Sequence, residues 1–310
     1  MKFPKPLNPG DTIGLVAPSS ASSPERVEET IKKLEELGYR VKAADNLAES
    51  YHGLMAGPAQ KRADWVNRMF ADPEVDAIIC IRGGDGSSRI MEYLDYEVIR
   101  ANPKIFCGFS DITNLLLAIP QNCGFVTFHG PMADTNIRSR FDTETARAFY
   151  EAVNAEADYE FRNPPGCPLE ALPGGPHQGR ASGLLTGGNL SLLCAAVGTP
   201  FEMQAEGRII FIEEVGERVS MIEKYMYHLK NAGVFRKCSG ILLGQFTDMT
   251  TNCDADFDWA ACVQDILADV EKPILWNVQS GHGEPMLTLP MGAACEMDAT
   301  AGTIRIHVER

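Results

Sequence analysis

Apolar and polar positions alternate along the first half of the chain with two different periods. Residues 12–18, TIGLVAP, form an unbroken apolar run that predicts a buried strand. Val27, Ile31, Leu34 and Leu37 then recur at helical spacing, behind a Ser23-Pro24-Glu25 start signal and ahead of a Gly38 stop. A short strand around 39–43 follows, then an amphipathic helix at 59–71 with Trp65, Met69 and Phe70 expected inward. VDAIICI (75–81) predicts a second buried strand, RGGDGSS a glycine-rich turn, and RIMEYLDYEVI a helix. KIFCGFSDITNLLLAI (104–119) repeats the theme as a short strand running into a leucine-rich helix. GFVTFHGP (124–131) and a helix around 142–154 complete this half. Strand and helix in regular alternation predict a parallel sheet covered on both faces, an α/β domain over 1–162.

The pattern then changes. Residues 163–180, NPPGCPLEALPGGPHQGR, are crowded with proline and glycine and are expected to be a linker. Beyond them, helices are predicted at 189–198, 221–233 and 257–269, and strands at 208–214, 240–246, 274–278, 286–298 and 303–308. This less regular order predicts a second, mixed α/β domain over 181–310, built on a small sheet or barrel.

Composition narrows the class of partner. The 310 residues are 45% hydrophobic, enough for a sizeable core, and carry a net charge of −14. Nucleic acid and anionic membrane surfaces both demand a basic patch, so neither is expected as a partner. No run reaches the ~18 apolar residues of a membrane span. The N-terminal stretch has no apolar core of the signal-peptide kind. The nine cysteines show no C-x-x-C pair or framework, which points to a reducing compartment and a cytoplasmic location.

Parallel sheets gather ligands at the C-terminal ends of their strands. Two loops qualify: Arg82-Gly83-Gly84-Asp85-Gly86 and Gly108-Phe109-Ser110-Asp111. The second resembles the G-x-S-x-G turn that lifts a serine hydroxyl above a sheet, with Ile112 in place of the last glycine. The competing reading is that Ser110 or Asp111 caps the helix that follows. A serine nucleophile needs a base, and His129 (TFHGP) and His282 (QSGHGEP) are the candidates. His228 and His307 lie in regular elements, while His52 and His177 lie in loops among flexible residues. A base needs an orienting acid, and the apolar strand RIIFIEE runs straight into Glu213 and Glu214. The GGDGS loop also has a rival reading, as the phosphate cradle of a small-molecule kinase. A third class is a non-catalytic binding protein on the same scaffold. Neither HExxH nor paired Cys/His spacing is present, so a zinc peptidase is not expected, and attack by a serine with a histidine base requires no metal or other cofactor.

Taken together, GLVAPSS, IRGGDGSSRIMEYLDY, CGFSDITNLLLAI, TFHGPM, LTGGNLSLLCAAVGTPF, IIFIEEVGE, GILLGQF and SGHGEPMLTLPMGA resemble the LD-carboxypeptidase family of serine peptidases, in the family's order and over nearly the whole chain. The resemblance implies a Ser–His–Glu triad at Ser110, His282 and Glu213, with the serine on the N-terminal domain, the acid and base on the C-terminal one, and the site between them. Backbone N–H groups of Gly84 and Asp111 are the candidate oxyanion hole, and Arg82, Gly83 and Asp85 the candidate substrate contacts. Asp85 stands where the family carries a bulkier aromatic or amide side chain. By resemblance the substrate is a murein tetrapeptide, cut between an L-configured diamino acid centre and the terminal D-alanine during peptidoglycan recycling, by a homodimer. A same-fold peptidase that inactivates a peptide–nucleotide antibiotic is the near alternative.

Overall fold

The computed structural model describes residues 1–251, 253–254 and 256–310. In chain order the elements are β1 (Thr12–Val16), α1 (Pro24–Glu36), β2 (Arg40–Ala43), α2 (Ala59–Ala71), β3 (Ala77–Cys80), α3 (Tyr96–Ala101), β4 (Ile105–Gly108), α4 (Thr113–Cys123), β5 (Thr127–His129) and α5 (Thr143–Asn154). They continue with β6 (Tyr159–Phe161), β7 (Glu170–Ala171), β8 (Arg180–Asn189), α6 (Leu190–Ala196), β9 (Ile209–Val215), α7 (Val219–Asn231), α8 (Val234–Lys237), β10 (Gly240–Thr247), α9 (Trp259–Leu267), β11 (Ile274–Trp276), β12 (Leu289–Met291), β13 (Ala294–Asp298) and β14 (Thr303–His307). The chain divides into two compact units: residues 1–156 with 287–292 and 309–310, and residues 157–286 with 293–308.

The first unit is built on a six-stranded sheet ordered β12-β5-β4-β3-β1-β2. Its five N-terminal strands are parallel, and β12 adds antiparallel to β5. Every residue of β1, β3, β4 and β5 is buried, as expected of parallel strands covered on both faces. The second unit carries an eight-stranded sheet ordered β6-β14-β13-β8-β9-β10-β11-β7. Its centre, β8 to β11, is parallel, and antiparallel strands flank it on both sides. The core strand β9 is buried along almost its whole length, whereas β13 and β14 alternate buried and exposed positions, one face toward the core and one toward water.

The mixed α/β class agrees with the sequence reading; several details differ. The sheet of the second unit is not small, because β8, which the sequence did not suggest as a strand, joins its antiparallel and parallel halves. Residues 163–180 are built into this unit instead of linking two domains. There β7 pairs with β11, and the Asn163 amide donates to the carbonyls of Cys167 and Asn277. RIMEYLDYEVI is not one helix: a 3-10 turn at Ser87–Tyr93 gives way to α3, which Asp95 caps through Val98 N. Met69 and Phe70 are buried as expected, but Trp65 is only half-buried and its indole N–H donates to Asp45.

Candidate active site

In the first unit, Ser110 sits where β4 turns into α4. Its backbone has φ +63°, the left-handed region a β-carbon disfavours. A non-glycine residue held there costs of order 1–3 kcal/mol, a cost concentrated at sites where a side chain must be aimed. The capping alternative does not hold, since neither the 3-10 turn Ser110–Ile112 nor α4 has a side-chain cap bond. Gly83 explains how the turn fits beneath the neighbouring loop: a Cβ there would lie 2.9 Å from Ser110 Cβ and 3.1 Å from its Oγ. Only a residue without a side chain lets the two loops approach so closely.

Asp111 faces inward. Its carboxylate accepts from Ser19 Oγ at 2.6 Å and Ser87 N at 2.8 Å, and its carbonyl accepts from Ser87 Oγ. Burial pushes its pKa above the ordinary aspartate value, against the pull of these hydrogen bonds. Its side chain is therefore a tie between the serine turn and the glycine-rich loop. That loop is also held from the β1 side: Ser20 N donates to Gly83 O and Asp85 N to Ser20 Oγ, which in turn donates to Leu54 O. Two amides that a phosphate cradle would use, those of Asp85 and Ser87, are thus already engaged, one of them with a carboxylate, which counts against the kinase reading. Arg82 is half-buried, and its Nε is shielded from solvent without a hydrogen-bond acceptor among the described residues. Asp85 is exposed.

In the second unit, successive residues of β9 point to opposite faces and separate the two glutamates. Glu213 is fully buried and its Oε2 accepts from His282 Nδ1 at 2.7 Å. Glu214 turns the other way, accepting from Asn189 Nδ2 at 2.7 Å and Ser191 N at 2.8 Å, where it secures the start of α6. Burial raises the Glu214 pKa, partly offset by those donors. For His282, burial pulls the imidazolium pKa down, but the charge and hydrogen bond of Glu213 outweigh it and the net shift is upward. Because a carboxylate only accepts, Nδ1 carries the proton, and the neutral ring has its lone pair on Nε2.

The loop that carries His282 rests directly on the acid: a Cβ on Gly281, itself at φ +137°, would meet Glu213 Oε2 at 3.0 Å and Gln245 Cβ at 3.1 Å. Gln245, at the end of β10, holds this loop at four places. Its N–H donates to Ser280 O at 2.9 Å, its Oε1 accepts from Gly283 N at 2.9 Å, and its Nε2 donates to Gln279 Oε1 at 3.3 Å and to Pro285 O at 3.2 Å. The sequence reading quoted Gln245 only inside GILLGQF and gave it no role. Its position at the C-terminal end of an apolar strand was the available signal.

The remaining histidines fall away. His129 lies in β5, fully buried, with its ring 5.9 Å from that of Phe109. His177 is also fully buried, both ring nitrogens within 3.0 Å of the Leu172 and Leu267 carbonyls, unlike the flexible-loop residue expected. His52 packs against Tyr51, His307 pairs with Asp158, and His228 is exposed on α7. Ser110 thus stands in the first unit, and Glu213 and His282 are joined in the second.

Comparison with known proteins bears on the family. Residues 13–130 match the LD-carboxypeptidase N-terminal domain and residues 182–297 the LD-carboxypeptidase C-terminal domain. A probable murein peptide carboxypeptidase of Bacillus subtilis (strain 168) is 36% identical over 305 residues, 98% of this chain and 94% of its own. The murein tetrapeptide carboxypeptidase of Pseudomonas aeruginosa is 28% identical, covering 92% of each chain. The structure of MccF, the microcin C7 self-immunity protein known from Escherichia coli, in complex with glutamyl sulfamoyl guanosine superposes with a TM-score of 0.90 at 25% identity, over 100% of this chain and 99% of that one. The chain belongs to the LD-carboxypeptidase family.

Proposed function

We propose that this protein is a serine carboxypeptidase that releases the terminal D-alanine from murein tetrapeptides, with Ser110, His282 and Glu213 as its triad. The observation that carries the reading is the 2.7 Å bond from His282 Nδ1 to the buried Glu213, which fixes the tautomer a general base requires. His282 Nε2 takes the Ser110 proton as Oγ attacks the carbonyl before the terminal residue. The Gly84 and Asp111 N–H groups stabilise the oxyanion. His282 then protonates the departing amine. Water, deprotonated by the same imidazole, attacks the acyl-serine, and the tripeptide leaves with Ser110 restored.

Arg82 is the proposed partner of the free carboxylate that marks an exopeptidase substrate: a guanidinium matches a carboxylate bidentately, and this one has a buried Nε with no acceptor among the described residues. Gly83 leaves room beside Ser110, and Asp85, exposed and anionic, suits the free amino group of a diamino acid. A second reading, cleavage of a peptide–nucleotide amide, is favoured by the 0.90 TM-score to MccF. Both are tested by one hydrolysis panel of tetrapeptide, pentapeptide and a peptidyl-nucleotide amide, with released D-alanine and nucleotide measured by mass spectrometry. Release of D-alanine from the tetrapeptide is expected, and its absence overturns the reading.

The same proposal places the enzyme in cytoplasmic cell-wall recycling, as a homodimer. All nine cysteines are free thiols, which suits a reducing compartment. Among the described residues no helix is long and apolar enough to cross a membrane. A monomeric mass in sedimentation equilibrium would remove the dimer.

A further inference from the structure

Arg62, on α2, is 1% exposed, among the largest side chains sealed in the molecule. A buried guanidinium ordinarily has a carboxylate in contact with it. The hydrogen-bond partners of this one are three backbone carbonyls and a sulfur. Nε donates to Gly57 O at 3.0 Å, Nη1 to Pro18 O and to Gly86 O at 2.8 Å, and Nη2 approaches Met55 Sδ at 3.4 Å. Burial lowers its pKa, and the acid whose charge opposes that shift is Asp111. The three carbonyls belong to three separate segments: the loop after β1, the turn before α2, and the glycine-rich loop after β3.

The last of these needs outside support. Gly84 and Gly86 both have left-handed backbones, at φ +114° and +98°, and the loop has no regular ladder of its own. Most of its bonds are to other segments: Gly83 O and Asp85 N to Ser20, Gly86 O to Arg62, and Ser87 N to Asp111, with Arg89 N a local donor to Gly86 O at 3.2 Å. Arg62 and Asp111 thus grip adjacent residues, Gly86 and Ser87, from opposite signs of charge. Asp111 directly follows Ser110, so the nucleophile turn and the oxyanion loop share this one clamp. Lysine would bring one ammonium and cannot span three carbonyls in a fixed plane.

We propose that Arg62 is a positioning residue for catalysis: it fixes the loop 83–87, and through Asp111 the Ser110 turn, in the geometry that the oxyanion donors require. The inference rests on the reading of Ser110 as nucleophile and Gly84 as oxyanion donor. It is tested with Arg62→Lys, with Arg62→Gln, which leaves no charge to bury, and with Arg68→Ala, an exposed arginine on the same helix. Kinetics on the tetrapeptide are read alongside backbone amide exchange. Both Arg62 variants are expected to melt cooperatively and to lose about 10²-fold in kcat with KM little changed, the signature of misplaced transition-state groups. Exchange is expected to accelerate at 83–87 and 108–112, not at β1 or within α4. Arg68→Ala should match the parent protein in both readouts. Unchanged kcat and exchange would overturn the proposal, as would acceleration spread evenly over the whole sheet, which marks a merely structural role. Should the parent protein itself release no D-alanine, the functional reading falls, and the exchange pattern alone decides whether Arg62 holds these two loops.

Discussion

A β-carbon on Gly83 would lie 2.9 Å from the β-carbon of Ser110, closer than two such atoms approach. The glycine-rich loop therefore lies against the serine as a wall, and its composition is set by contact with the proposed nucleophile. Gly83→Ala is expected to displace one of the two loops and lower kcat by about 10²-fold. The variant should stay folded, because Gly83 is not among the glycines with positive φ. Steady-state kinetics with a thermal melt as control checks this, and full activity would show that the contact relaxes without consequence.

The two glutamates of β9 separate by role. Ser110→Ala and His282→Ala should each abolish D-alanine release, and Glu213→Gln should reduce it strongly by losing the anion that steadies the imidazolium. Glu214→Gln should act on stability instead, by about 1–3 kcal/mol, because it disturbs bonds to Asn189 and Ser191. A catalytic loss in Glu214→Gln larger than that in Glu213→Gln would reverse the assignment.

The pH profile follows from the raised pKa of His282. The base acts only when neutral, so the acid limb of kcat/KM should have its midpoint above the ~6.5 of an unperturbed histidine. In Glu213→Gln the limb should move to lower pH, since the attraction that raised it is gone. The sign for stability is opposite. The His282–Glu213 coupling stabilises the fold fully below the unfolded histidine pKa, and that contribution is lost as pH rises through the raised folded value. Activity thus grows over the window in which this coupling fades. Rate profiles and urea melts across that window test both halves.

Gln245 should matter without touching substrate. Gln245→Ala removes all three side-chain bonds to the His282 loop, at Gln279 Oε1, Gly283 N and Pro285 O, and is expected to lower kcat by about tenfold or more. Gln245→Glu keeps the acceptor for Gly283 N but sets an anion against the Pro285 carbonyl, so it should restore only part of the rate. Equal rates in all three proteins would show that the loop holds itself.

Much of this was legible in the sequence because apolar runs and helix signals are local. The strands β1, β3, β4, β9 and β10 and the helices α1 and α2 fall where periodicity puts them. Strand β8 was hidden by its own chemistry. LTGGN reads as a turn, yet a Cβ on Gly187 would lie 2.0 Å from Phe211 O, so glycine is what lets this strand lie against β9. The proposed triad residues were recognisable as motif positions. What supports them was not: Ser19, Ser20, Arg62 and Gln245 each have a partner 34 to 92 positions away, namely Asp111, Leu54, Pro18 and Pro285. No window along the chain contains both ends of such a bond.

Strand β12 has a further consequence for the order in which this protein can be made. Residues 289–291 pair with β5 and complete the sheet that bears Ser110, although they follow nearly all of the second unit in the chain. A fragment ending near residue 162 would leave β5 as a bare edge, a template for association with other chains. During synthesis the same edge stays open until Met291 has cleared the ribosome. The serine turn therefore acquires its finished scaffold only after Glu213 and His282 have both been added to the chain, so the sheet beneath Ser110 closes once all three residues of the proposed triad are present.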